Sequence, residues 1–286
     1  MYNLHDLDNL PLPVPKYRFD QAGNRVEAYD AHLHLDLDGT ADHPETSDYP
    51  ISEEPIALIL RELCSRPSFA QRIQFIQKAM KEMYSSQDAR IFANEVTKHF
   101  VDSGVKIDFL NESIEKGVDK WRGNDDLHSF LMEDMAKLHV QWRWDSANFE
   151  YAIRRVNKKY DLSQNIFYCT RVEYDKVSGR ITRIFPNVMR RKLARIERDL
   201  DESRISRRRF IFLGDSPQEE PYSAKIAALA LWVRENADLT KSQSKINIKI
   251  PEARYGFSKL TPYIHKFILE CDENERKVRG FESRNL

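Results

Sequence analysis

The chain has 286 residues, 31% of which are charged, and its 45 lysines and arginines equal its 45 aspartates and glutamates in number. This length allows one large domain or a core with an insertion, and the zero net charge gives no reason to expect nucleic acid or an acidic membrane as partner. Three widely spaced cysteines form neither a metal-binding nor a disulfide pattern, and the first residues lack a signal peptide, so we expect a cytoplasmic protein.

The first 25 residues are rich in proline and predict an irregular arm. Residues 26–35 then alternate between apolar and polar side chains, which predicts one strand. The segment Asp36–Thr40 follows directly. Side chains at i and i+2 leave the same face of a strand, so Asp36 and Asp38 would project together from its carboxyl end, where open α/β sheets bind ligands. One carboxylate can attack phosphorus or bind Mg²⁺ while the other protonates a leaving oxygen. The alternative interpretation of this segment is an Asp-Gly turn at the surface with no catalytic role.

A second motif overlaps this strand. Asp30, His32 and His34 are spaced as in the Asp-x-His-x-His opening of metal-dependent amidohydrolases and related barrel deoxyribonucleases, which the segment resembles. Two histidines at i and i+2 on a strand can share one divalent metal, and Asp215 could add a ligand. That fold alternates strands and helices about every 30 residues, whereas residues 51–137 show only helical periodicity. This nuclease or amidohydrolase hypothesis therefore stays an alternative, and the other possibility is that both histidines face a polar layer.

A polar, proline-containing linker at residues 41–50 leads into the helical series. Apolar residues there recur at spacings of three and four, as in Phe109, Ile114, Val118 and Trp121, which predicts packed helices rather than a cofactor site. Because a strand precedes these helices, we interpret them as an insertion into an α/β core.

After Lys137 the periodicity changes to that of alternating strands and helices. The pattern predicts a strand from Leu138 that ends at Asp145-Ser146, a helix at 149–160, a strand at 165–169, a turn at Gly179, a basic helix at 188–200 and a buried strand at 210–213 that runs into Gly214-Asp215. Such alternation is typical of a parallel sheet flanked by helices.

Several of these segments together resemble one family. Asp36–Thr40 is similar to the first motif of the haloacid dehalogenase (HAD) superfamily, mostly Mg²⁺-dependent phosphatases that use an aspartyl-phosphate intermediate. The segments Ser146–Phe149, Thr170–Tyr174, Gly179–Thr182 and Gly214–Pro221 resemble the phosphoserine phosphatase-like subgroup. The resemblance covers most of the chain. It implies an α/β fold with a Rossmann-like, mainly parallel sheet flanked by helices, in which residues 1–44 and 123–286 form the core domain and residues 45–122 an inserted all-helical cap domain.

The resemblance also implies roles for individual residues. It makes Asp36 the nucleophile and Asp38 the acid and base. The phosphoryl group would be held by Ser146, Lys192 and Thr40, and Mg²⁺ by Asp36, Asp38, Asp215 and Glu219. Three alternatives stay open: Ser146 as a helix N-cap, Thr170 as the phosphate-binding hydroxyl, and Lys192 as one charge of a solvated basic face.

The chain departs from the subgroup at three places. Gly117 stands where the subgroup has a cap arginine, Ala147-Asn148 replace a Gly-Gly pair, and histidines occupy the first strand. The first departure disfavours phosphoserine as substrate. We therefore predict a Mg²⁺-dependent phosphatase for a phosphorylated substrate of unknown class, with nucleic acid and membrane disfavoured. A catalytically silent relative, whose helical insertion binds a partner, is the remaining alternative.

Overall fold

The computed structural model describes residues 16–19, 25–37, 39–43, 51, 101–102, 104–163, 167–185, 187, 190–202, 207–215, 217 and 225–282. Nine strands lie within these ranges: β1 (Lys16–Phe19), β2 (Arg25–Ala28), β3 (Ala31–Leu35), β4 (Val140–Phe149), β5 (Phe167–Tyr174), β6 (Ile181–Phe185), β7 (Phe210–Gly214), β8 (Leu229–Trp232) and β9 (Ile246–Lys249). The main helices are α1 (Ile107–Lys120), α2 (residues 127–137, including a π-helical turn at Phe130–Asp134), α3 (Glu150–Lys159), α4 (Arg190–Glu202) and α5 (Thr261–Glu282).

Seven strands form one sheet in the order β6-β5-β4-β3-β7-β8-β9. Every adjacent pair is parallel except β5 and β6, which form an antiparallel hairpin. Strand β3 lies at the centre, with Leu35 opposite Trp144 of β4 and Leu213 of β7. Helices flank this sheet, and the predicted mainly parallel α/β fold is confirmed.

The two faces of β3 differ in chemistry. Leu33 and Leu35 point into the larger hydrophobic core, whereas His32 and His34 leave the opposite face. On that opposite face α4 packs Ile196 against a smaller apolar cluster. The apolar strands β7 and β8 are buried throughout, as expected of inner strands in a parallel sheet. A polar layer therefore lies beside β3, between the sheet and α4.

The single strand predicted for residues 26–35 is wrong. Residues 25–28 form β2, which pairs with β1 in a separate antiparallel ribbon, so the predicted irregular arm contains a strand as well. The backbone N–H of Asp30 bonds to the carbonyl of His139 at 2.8 Å, and the chain enters the large sheet only at Ala31. The apolar positions change from even (Val26, Ala28) to odd (Ala31, Leu33, Leu35) at this break, so the alternation slips by one residue where the two strands separate.

Strand β4 is longer than predicted. It runs past Asp145 to Phe149, with an irregular register between these two residues opposite β5. Helix α3 begins at Glu150, and Phe149 occupies its N-cap position. Ser146 is therefore not the helix cap, and that alternative is wrong.

Helix α1 is the described C-terminal part of the predicted cap. Its buried residues Leu110, Ile114 and Val118 belong to the same hydrophobic core as Leu33 of the sheet, while Phe109 is exposed, contrary to the predicted apolar stripe. Residues 52–100 lie outside the described residues, so the cap boundaries at 45 and 122 stay a prediction. None of the helices in the described ranges is both long and apolar enough to cross a membrane, and the cytoplasmic location also stays a prediction.

Candidate active site

The carboxyl ends of the central strands place several charged side chains on one edge of the sheet. Asp36 follows β3, Asp215 follows β7 and Arg234 lies two residues beyond β8. The backbone N–H of Asp36 donates to the carbonyl of Leu213 at 3.1 Å, which fixes the start of the Asp36 loop against β7. Because parallel strands end at the same edge, the topology itself brings these residues together.

Lys192 and Asp36 form an ion pair at the middle of this edge. Lys192 lies in the first turns of α4, and its Nζ is 3.4 Å from Asp36 Oδ1. The lysine side chain is 3% exposed and that of Asp36 is 13% exposed, so the carboxylate alone has appreciable contact with solvent. Burial raises the pKa of Asp36, and the Lys192 ammonium opposes that effect. The pair is a partly accessible carboxylate next to a buried cation.

Asp215 lies against Arg234 at the neighbouring strand end. Arg234 Nη2 is 3.2 Å from Asp215 Oδ2, and the carboxylate is almost fully buried. Gly39 completes this contact, because a Cβ there would collide with the Arg234 guanidinium and approach Asp215 Oδ2 to 2.9 Å. Gly39 also has a φ of +74°, which disfavours other residues. A side chain here would be strained by this φ and would displace the ends of Arg234 and Asp215.

Ser146 and Thr170 have different surroundings. Ser146 is buried beyond Asp145 on β4, and its Oγ accepts a hydrogen bond from the backbone N–H of Asn148 at 3.1 Å. Thr170 Oγ1 donates to the Ala147 carbonyl at 2.6 Å and accepts from the Asn187 N–H at 3.1 Å. The Thr170 hydroxyl therefore links the Ala147 carbonyl to the Asn187 N–H, while the Ser146 hydroxyl donates no hydrogen bond to the residues that the structure describes. This geometry favours Ser146 over Thr170 as the phosphate-binding hydroxyl.

Of the other predicted site residues, the structure describes Thr40 but not Asp38 or Glu219. Thr40 lies in the turn after Asp36, where the Ala41 N–H bonds to the Leu37 carbonyl at 2.9 Å. Its hydroxyl is buried and makes no hydrogen bond within the described ranges. Asp38 and Glu219 lie outside the described residues, so their roles stay predictions.

Asp145 and Asn187 are site residues that the sequence analysis missed. Asn187 is fully buried, and its Nδ2 donates to Asp145 Oδ1 at 2.9 Å and to the Ser146 carbonyl at 3.0 Å, while its Oδ1 accepts from Arg195 Nη1 at 2.9 Å. Burial disfavours the charged form of Asp145, but bonding to His34 and the Lys192 ammonium hold the pKa of Asp145 below its usual range. The position of Asp145 directly before Ser146 was a usable signal, whereas no pattern marked Asn187.

His32 and His34 do not face the open edge. Both side chains are fully buried on the α4 side of β3, next to Asp199 and not next to Asp215, the predicted additional ligand. A hydrolytic metal centre needs an open ligand position that substrate or water can reach. The burial of the two histidines therefore argues against the amidohydrolase alternative.

Two carboxylates at the edge of the sheet are suitable ligands for a magnesium ion. Mg²⁺ prefers one or two carboxylates supplemented by phosphate and water, and Asp36 and Asp215 provide carboxylates at two adjacent strand ends. One oxygen of Asp215, Oδ2, makes no hydrogen bond in the described part of the chain and lies 3.2 Å from the Arg234 guanidinium. Such an oxygen is a suitable ligand for a cation.

Comparison with known proteins gives similar folds but no close sequence relative. No protein-family model and no curated protein sequence matches the chain. A phospho-aspartyl intermediate analogue of phosphoserine phosphatase has a TM-score of 0.51 and 17% identity, covering 78% of this chain and 96% of its own. A HAD family hydrolase from Salmonella enterica serovar Typhi has a TM-score of 0.54 and 18% identity, covering 83% of this chain and 72% of its own. Cytosolic 5′-nucleotidase IIIB bound to cytidine has a TM-score of 0.50 and 12% identity, covering 85% of this chain and 88% of its own. The resemblance to HAD phosphatases is therefore confirmed in the fold.

Proposed function

We propose that this chain is a Mg²⁺-dependent phosphomonoesterase that works through an aspartyl-phosphate intermediate. The observation that carries the proposal is the position of Lys192 Nζ, 3.4 Å from Asp36 Oδ1, at a sheet edge that also holds Asp215. The fold similarity to a phosphoserine phosphatase and to a HAD hydrolase supports it.

The reaction has two displacements at phosphorus. A carboxylate oxygen of Asp36 attacks the phosphorus of the ester, the bond to the alcohol oxygen breaks, and Asp38 gives that oxygen its proton. Asp38 then removes a proton from water, which attacks the same phosphorus, releases inorganic phosphate and restores the Asp36 carboxylate. Asp38 ends in its starting protonation state, so the cycle balances.

Other residues of the edge hold the phosphoryl group. The transition state spreads negative charge over the equatorial oxygens, and most catalysis comes from positioned donors and cations. The Lys192 ammonium would oppose this charge, and the hydroxyls of Ser146 and Thr40 would donate hydrogen bonds. Because Lys192 and Ser146 are almost fully buried, they need little reorganisation when the substrate arrives.

The carboxylates of Asp36 and Asp215, with the backbone carbonyl of Asp38 and the side chain of Glu219, would hold Mg²⁺. When bound, this ion supplies positive charge against the phosphoryl oxygens and favours the ionised form of Asp36. Arg234 balances the charge of Asp215.

Gly117 disfavours phosphoserine as the substrate. A Cβ at Gly117 would lie 2.7 Å from the carbonyl oxygen of Ile51, so α1 and the backbone at residue 51 approach each other too closely for an arginine at this position. A substrate carboxylate therefore cannot be recognised by an arginine here.

The test is phosphate release from para-nitrophenyl phosphate and a panel of phosphomonoesters, with Mg²⁺ and with EDTA. We expect activity that requires Mg²⁺ and disappears in Asp36→Asn. The matched control is Asp201→Asn, because Asp201 is an exposed aspartate on the same helix as Lys192. Activity that survives Asp36→Asn would contradict the mechanism. A folded wild-type protein that turns over none of the esters would favour the catalytically silent alternative.

A further inference from the structure

The polar layer beside β3 contains a compact group of metal-binding side chains. His32 and His34 leave β3 on the same face, and Asp199 reaches them from α4. All three residues are buried, and one potential ligand atom from each lies within 4.8 Å of the other two. We call these residues the His-His-Asp cluster.

Two of the three separations in the cluster are close to those of ligands around a tetrahedral ion, and the shorter one is a hydrogen bond between His34 and Asp199. Asp199 Oδ2 is 3.0 Å from His34 Nε2 and 3.5 Å from His32 Nδ1. Ligand atoms about 2.0–2.1 Å from a tetrahedral Zn²⁺ lie roughly 3.3 Å from one another. The third separation, between the two imidazoles, lies within 4.8 Å.

His32 makes no side-chain hydrogen bond within the part of the chain that the structure describes, although Asp199 Oδ2 lies 3.5 Å from its Nδ1. Its side chain has no exposed surface, and neither ring nitrogen makes a hydrogen bond there. A buried donor or acceptor that makes no hydrogen bond destabilises the folded protein by about 1–3 kcal/mol, and a ligand to a ring nitrogen would offset this cost. A metal ion at the cluster would satisfy one of these nitrogens directly.

The surroundings of His34 fit metal binding as well. His34 Nδ1 lies 3.7 Å from Asp145 Oδ2, and Asn187 fixes the other oxygen of that carboxylate at 2.9 Å. A carboxylate behind one ring nitrogen selects the tautomer whose other nitrogen binds a metal. Arg143 Nε is 3.4 Å from Asp199 Oδ2, and the Lys192 ammonium acts on Asp145, so each carboxylate of the layer has a cationic neighbour.

We propose that His32, His34 and Asp199 bind a structural Zn²⁺ ion between β3 and α4, with a water molecule as the fourth ligand. Zinc is the ion of choice because two imidazoles and one carboxylate form a mixed nitrogen and oxygen ligand set of low coordination number. The ion ties α4 to the central strand and so holds Lys192 beside Asp36. This site is separate from the magnesium site and does not depend on phosphatase activity.

The first test is metal analysis of the full chain as purified, by inductively coupled plasma mass spectrometry and zinc X-ray absorption. We expect about one Zn²⁺ per chain, with the scattering pattern of two imidazoles. His32→Ala and Asp199→Asn should each lose the zinc. The controls are Asp36→Asn, which removes the magnesium ligand, and His265→Ala, which removes a buried histidine outside the cluster; both should keep it.

A second test uses wild-type protein alone, so it stands even if the variants fail to fold. Protein stripped with a chelator and shown to be folded by circular dichroism is titrated with Zn²⁺ while its Tm is followed, and with Co²⁺ while its visible spectrum is followed. We expect a rise in Tm and the intense absorption bands of tetrahedral Co²⁺. Absence of both responses would overturn the proposal, as would all-oxygen coordination in the absorption spectrum or full zinc content in both cluster variants.

Discussion

Asn187 offers the sharpest test of how the sheet edge is held together. The substitution Asn187→Ala removes three side-chain hydrogen bonds, to the Asp145 carboxylate, the Ser146 carbonyl and the Arg195 guanidinium. All the atoms concerned lie in a buried or largely buried layer, so the partners lose their bonds without full access to solvent. The backbone N–H of residue 187 keeps its bond to Thr170 Oγ1.

The expected cost follows from the kinds of bonds lost. A hydrogen bond to a charged group contributes about 1.5–3 kcal/mol and a neutral one about 0.5–1.5 kcal/mol, and two of the three bonds involve charged groups. A water molecule in the space vacated by the amide would recover part of this. We expect the free energy of unfolding to fall by about 3 kcal/mol. We also expect kcat/KM for phosphate release to fall about 10–100-fold, because Ser146 shifts relative to Asp36.

The assay is urea unfolding followed by tryptophan fluorescence, together with the phosphatase assay. Asn247→Ala is the matched control. Asn247 also makes two side-chain hydrogen bonds, to Trp232 and to the Ser244 carbonyl, but it lies half-buried on edge strand β9 with neutral partners. The Asn247→Ala substitution should lower the free energy of unfolding by about 1 kcal/mol and leave phosphatase activity unchanged. If Asn187→Ala were no more harmful than Asn247→Ala in either measurement, the inferred positioning role of Asn187 would be refuted.

Three further predictions concern single residues of the site and the core. Lys192→Met should lower kcat for phosphate release about 100–1,000-fold, since the buried cation beside Asp36 is lost, and steady-state kinetics at saturating Mg²⁺ would show it. Gly39→Ala should lower activity by at least about 10-fold, because alanine is strained at this positive φ and its Cβ displaces the Arg234 guanidinium; wild-type kinetics in this variant would contradict the assigned contact. Burial raises the pKa of Cys169 to about 12, so its thiol stays protonated and should resist iodoacetamide at pH 8 in the folded protein, reacting only after denaturation, as peptide mass mapping would report. Modification of Cys169 in the native state would count against the described packing of β5.

The sequence predicted the main features of this fold because they depend on local patterns. The buried apolar run before Asp215 and the alternation of strands and helices after residue 138 correctly predicted a mainly parallel sheet. Since ligands bind at the carboxyl ends of such strands, Asp36 and Asp215 were expected on one edge, and the structure places both there. The proximity of Lys192 to Asp36 was inferred from the family resemblance.

What the sequence did not predict depends on contacts between distant segments. Asn187 lies in an irregular connection, and its buried bonds exist only because β4 and α4 bring Asp145 and Arg195 to it. Asp199 lies in the predicted basic helix at 188–200, and only its packing on β3 places it beside the histidines. The C-terminal helix α5 was missed because its apolar residues mix with a high density of charges.

The central position of β3 also affects how this protein is synthesised. Both neighbours of β3 come later in the chain, β4 more than 100 residues and β7 about 175 residues further on. At a synthesis rate of about 5–20 residues per second, β4 is made roughly 5–20 s after β3, and β7 is made roughly 9–35 s after β3. A bare apolar strand exposed for that long would invite aggregation. His32 and His34 make one face of β3 polar. The same histidines that are buried in the folded protein can therefore keep β3 hydrated in the nascent chain before its neighbours are made.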